Sequence, residues 1–106
     1  MKVAKEEFQA LLMLYLSNAD GKRHPEEIQL ITKKIQPEVY ANTLKLYDTM
    51  SDLEVLQCIE ENKHNYAATP EDRQQILSDL QALIEADGRS LAIEEYFIQN
   101  ISKILG

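Results

Sequence analysis

Three features of the sequence predict an all-α fold, a compact bundle of about six helices. Apolar residues recur at helical spacing along most of the chain. Caps, prolines and Asp-Gly turns punctuate the segments between them. One helix–Asp-Gly–helix hairpin is spelled twice, so the bundle is expected to contain two pseudo-repeated hairpins. Nowhere does strand-like alternation run on between turns.

The first helix is expected from about Lys2 to Ser17. Ala4, Phe8, Leu11, Leu12 and Tyr15 make one stripe, and Leu14 and Leu16 widen it, so this helix buries more than one side. Asn18-Ala19-Asp20-Gly21 ends it, with Gly21 free to turn left-handed. Pro25 suits the first position of a second helix, because its missing N–H would be unpaired there anyway. Ile28, Ile31 and Ile35 are its inward face, and Gln36-Pro37 closes it. A third helix over about Glu38–Met50 carries Val39, Tyr40, Thr43, Leu44, Tyr47 and Met50. Ser51-Asp52-Leu53-Glu54 reads as a capping box that opens a fourth helix to about Asn62, with Val55, Leu56 and Ile59 inward. The polar stretch Lys63–Ala68 reads as a loop. Thr69-Pro70-Glu71-Asp72 starts a fifth helix with Ile76, Leu77, Leu80, Leu83 and Ile84, which ends at Asp87-Gly88. The last, about Leu91–Leu105, carries Ile93, Phe97, Ile101, Ile104 and Leu105. Leu12, Ile31, Leu80 and Phe97 are expected to be nearly fully buried.

The chain's 106 residues fit one domain over 1–106. Cys58 is the single cysteine, so no internal disulfide forms, and its apolar neighbours Val55 and Ile59 mark it as a small core hydrophobe. The net charge of −7 disfavours nucleic acid as a partner. The charge is uneven: residues 1–45 hold seven basic and six acidic side chains, residues 46–106 four and twelve. Such a surface attracts cations or a basic protein. The longest apolar run, Leu11–Leu16, is too short to span a bilayer, and Glu6 and Glu7 spoil a signal peptide. No membrane insertion and a cytoplasmic location are expected.

Leu16, Ala19, Asp20, Gly21, Glu27 and Ile31 match Leu83, Ala86, Asp87, Gly88, Glu94 and Ile98 at a constant offset of 67 residues. The hairpins span about 4–35 and 71–105, with about 38–62 inserted between them. Two readings account for the shared Asp and Glu. In the first they only cap: Asp accepts from loop amides, and Glu at the third helical position reaches back to the cap. In the second they bind a divalent cation. An Asp-Gly followed after five residues by Glu also occurs in the EF-hand loop. The first ligand of that loop would fall here on Leu16 or Leu83, so a true EF-hand is excluded and a partly hydrated oxygen site remains. Glu85 makes the second copy the more anionic. His24 has Leu91 in its place in the other copy, which argues against a transition-metal ligand. His64 reads as a surface residue. No nucleophile–base–orienter set and no phosphate-binding loop occur, so no enzymatic activity is expected.

On these two hairpins, Asp20-Gly21 to Glu27 and Asp87-Gly88 to Glu94, the chain resembles the TerB family of tellurite-resistance-associated helical proteins. It also resembles the TerB-like domain of membrane-anchored DnaJ-like co-chaperones. The resemblance implies an all-helical fold, with Asp20, Glu27, Asp87 and Glu94 holding a metal such as calcium, magnesium or manganese. It also implies a role in stress response through a protein partner. The chain is short for a full TerB protein and carries neither a J domain nor a membrane anchor.

Overall fold

Burial on all sides puts the first helix at the centre of the molecule. In the computed structural model α1 (Lys5–Ser17) packs against each of the other five helices. Every residue from Ala10 to Ser17 is buried, as an apolar sequence such as ALLMLYLS requires. The structure describes residues 2–18, 25–85 and 92–106, and only the backbone of 25–27 and 92–94.

Around α1 stand α2 (Pro25–Lys34), α3 (Pro37–Asp48), α4 (Asp52–Tyr66), α5 (Pro70–Glu85) and α6 (Ala92–Leu105). The described residues contain six helices and no strand. The radius of gyration is 12.5 Å, that of a compact chain of this length. Residues 38–62, expected as an insert between two hairpins, are no appendage, since both α3 and α4 pack directly on α1.

The caps form as their residues dictate. Ser51 Oγ accepts from the Glu54 N–H (3.2 Å), while Glu54 Oε1 accepts from the Ser51 N–H (3.0 Å). Thr69 Oγ1 accepts from the Asp72 N–H (3.1 Å) ahead of Pro70. The core joins Phe8, Leu11, Leu12 and Leu16 of α1 to Ile31, Ile59, Leu80, Leu83, Ile84 and Ile101 from the surrounding helices.

Three expectations are corrected. Residues 63–66 are not a loop: α4 runs on to Tyr66, because Asn62 and Tyr66 hold the N-terminal segment and Tyr66 stacks on Phe8 (ring centroids 5.4 Å). Helix α1 starts at Lys5, not Lys2, because Val3 takes its backbone partners from α4 instead. Phe97 is half-buried; it lies on Tyr15 at the edge of the core, whereas Leu12, Ile31 and Leu80 are buried as expected.

Candidate functional site

Of the four expected metal ligands, Asp20 and Asp87 lie outside the described residues, as does His24. Glu27 and Glu94 lie within α2 and α6, each the third residue of its helix, with side chains outside the description. Among the described residues no three His, Cys, Asp or Glu side chains are gathered as a metal would need.

What the described residues do assemble are two polar features, one at each end of α4. The first is a clamp at its C-terminal end. Asn62 is only 1% exposed, and its Oδ1 accepts from the Val3 N–H (3.1 Å). Its Nδ2 donates to the Cys58 carbonyl (2.7 Å) and lies 3.6 Å from Cys58 Sγ. Tyr66 Oη donates to the Val3 carbonyl (2.6 Å). Lys63 Nζ donates to the Ile104 carbonyl in the last turn of α6 (2.9 Å). Both backbone groups of buried Val3 are thus satisfied by α4 side chains, which is what burial of a non-helical residue demands. The clamp is invisible to polarity-based reading, which takes Lys63-His64-Asn65 for a loop. The signal that finds it is the period of four through Cys58, Asn62 and Tyr66, which continues the buried side of α4.

Cys58 is buried inside this arrangement. Burial pushes its thiol pKa up, and a protonated, enclosed thiol is a poor nucleophile. His64 is exposed, as expected of a surface residue.

The second feature surrounds Tyr15, near the end of α1. Its ring meets Phe97 (5.0 Å, tilted), and Phe97 meets Tyr96 edge-on (6.2 Å). Burial raises the Tyr15 hydroxyl pKa to about 12, with smaller contributions from Asp52, Tyr47 and Tyr96. Tyr15 is therefore neutral at physiological pH and is not poised for acid–base chemistry. Asp52 opens α4 and Tyr96 stands in the second turn of α6. Val3, ahead of α1, meets the end of α4, and Tyr15, late in α1, meets the start of α6, so both helices run opposite to α1 and alongside each other, with Lys63 joining their ends.

Two buried oxygens, Thr43 Oγ1 and Glu6 Oε2, have no hydrogen-bond partner among the described residues. No described helix is long and apolar enough to cross a membrane. Comparisons with protein-family models, with curated proteins and with solved structures each found no match.

Proposed function

We propose that the chain is a non-enzymatic interaction module of the TerB-like kind, whose two Asp-Gly hairpins hold a divalent cation through Asp20, Glu27, Asp87 and Glu94. The observation that carries this reading is the register of the outgoing helices. Helix α2 begins at Pro25 and α6 at Ala92, the same offset of 67 residues that relates Ala19-Asp20-Gly21 to Ala86-Asp87-Gly88. Equal helix starts at equal offset are what a duplicated hairpin leaves. The contact between Tyr15, late in α1, and Phe97, early in α6, supports a further point: the flanks of both hairpins meet at one end of the molecule.

Carboxylates alone suit calcium, magnesium or manganese better than zinc. The partner is a protein, and by its charge not a nucleic acid. By the resemblance, the setting is a stress response of the tellurite-resistance type. The competing reading, that the acids only cap, rests on Glu27 and Glu94 occupying the third helical position, where capping-box glutamates sit.

Thermal unfolding in the presence of each cation separates the two. A capping carboxylate gains nothing from added cation, whereas a ligating one is stabilised by mass action. Tenfold excess over Kd contributes about 1.4 kcal/mol, or about 6–11 °C in a domain of this size. The wild-type midpoint is expected to rise with millimolar calcium or magnesium at constant ionic strength. The Asp87→Asn, Glu94→Gln double variant is expected not to respond. A wild-type midpoint indifferent to both cations removes the cation site and leaves capping.

A further inference from the structure

Helix α1 is capped without help from the residues before Ala4. The Ala4 N–H donates to Glu7 Oε1 (3.0 Å), and the Ala4 carbonyl accepts from the Phe8 N–H (2.9 Å). Lys2 and Val3 therefore add nothing to the start of the helix. They lie instead as a strap against the end of α4. Lys2 is exposed, Val3 is buried, and exposed, extended Ala4 (φ −76°, ψ 164°) joins them to α1.

Val3 is the anchor of this strap. Its N–H goes to Asn62 Oδ1, its carbonyl to Tyr66 Oη, and its side chain enters the core. Both holders are kept in place by other contacts. Asn62 Nδ2 donates to the Cys58 carbonyl of its own helix (2.7 Å), and the Tyr66 ring stacks on Phe8. Opening the strap thus breaks two hydrogen bonds, uncovers one valine and returns backbone freedom to Lys2 and Val3. None of the packing between helices runs through those two bonds. What is lost is small beside the burial that holds the six helices together, so the strap yields first.

We propose that Lys2 and Val3 form a strap that opens and closes while the six helices stay folded, and that it governs access to the Asn62–Tyr66 side of α4. Closed, it encloses Asn62, which is 1% exposed. Behind Asn62 lies buried Cys58, its Sγ 3.6 Å from Asn62 Nδ2. Open, it presents Asn62 Oδ1 and Tyr66 Oη to solvent, and anything that binds there meets only the open fraction. The strap lies at the end of α1 away from the Tyr15–Phe97 contact, where the flanks of the two hairpins meet. The inference goes beyond the cation reading and does not rest on it, so its test is made in a chelator.

Cys58 is the single cysteine and serves as the reporter of opening. The full chain is alkylated with iodoacetamide under native conditions, the rate is read by mass spectrometry, and each rate is divided by that of the unfolded chain. The wild-type rate is expected to stay flat across low urea, because a local opening exposes little surface. Asn62→Ala and Val3→Ala are each expected to raise it about tenfold or more, with the same flat urea dependence and helical circular dichroism retained. Met50→Ala widens the other approach to Cys58, the shallow depression shared with Glu54, Gln57 and Glu61, and is expected to leave the rate unchanged. A wild-type rate that climbs steeply with urea makes the opening global and overturns the proposal. So do unchanged rates in Asn62→Ala and Val3→Ala, or acceleration by Met50→Ala alone, since the thiol is then reached through the depression. None of these outcomes touches the melting response to calcium or magnesium, so the two readings fail separately.

Discussion

Truncating Asn62 is the sharpest test of how the N-terminal segment is held. In Asn62→Ala the Val3 N–H loses the Oδ1 acceptor it meets at 3.1 Å, in a place where Val3 is 5% exposed. An unpartnered buried donor costs about 1–3 kcal/mol. The lost side chain also leaves a void between α4 and the segment, so a total of about 2–4 kcal/mol is expected. That corresponds to a fall in midpoint of at least about 8 °C. Tyr66→Phe keeps the ring against Phe8 and removes only the 2.6 Å bond to the Val3 carbonyl, a loss of about 1 kcal/mol. The two side chains hold opposite backbone groups of one residue. Once either is gone, Val3 is freer to leave, and the other bond is worth less. The double variant is therefore expected to lose less than the sum of the singles, by about 0.5 kcal/mol or more. The assay is denaturant unfolding of all four proteins, followed by circular dichroism. His64→Ala serves as a control, because that side chain is exposed and is expected to stay within about 0.5 kcal/mol of wild type. A loss below about 0.5 kcal/mol for Asn62→Ala, or strict additivity, would refute the clamp as a coupled unit.

The remaining predictions concern the core and one titration. Phe8→Ala, at a residue with no exposure, is expected to cost about 3–5 kcal/mol. Phe97→Ala, at the half-buried edge, is expected to cost clearly less, and equal losses in denaturant melts would show the edge to be core. The Tyr15 hydroxyl has its folded pKa raised from 10.0 to about 12, so the folded state holds its proton longer than the unfolded chain does. That stabilising difference is present below pH 10 and disappears as the pH climbs toward 12; Tyr15→Phe should flatten the alkaline fall in melting midpoint, and an identical pH profile in the variant would contradict it.

Local rules made the helices legible. The Ser51 and Thr69 caps formed where a short side chain stands before acids, because capping needs only neighbours three residues away. Pro25, Pro37 and Pro70 each begin a helix, because the proline ring presets φ and no N–H is missed there. Central burial of α1 was also readable, since a helix apolar on every side has nowhere to go but the middle. The expected site was a different matter. Asp20, Glu27, Asp87 and Glu94 stand out by repetition alone, and spacing that suits a helix cap equally suits an oxygen ligand.

Long-range pairing escaped the sequence. Val3 meets Asn62 and Tyr66 across about sixty positions, and no local pattern announces which buried amide a helix will be asked to satisfy. The same holds for Leu53 and Tyr96. Each looks like an ordinary apolar member of its helix until packing leaves it in solvent. Helix identity, order, caps and the repeated Ala-Asp-Gly spelling are therefore properties of the sequence, because period and capping act within a turn or two. The reach of α4, the clamp on Val3, the half-burial of Phe97 and the exposure of Leu53 and Tyr96 are properties of the assembled bundle. They depend on which helix lies against which, and that is decided by the whole core at once.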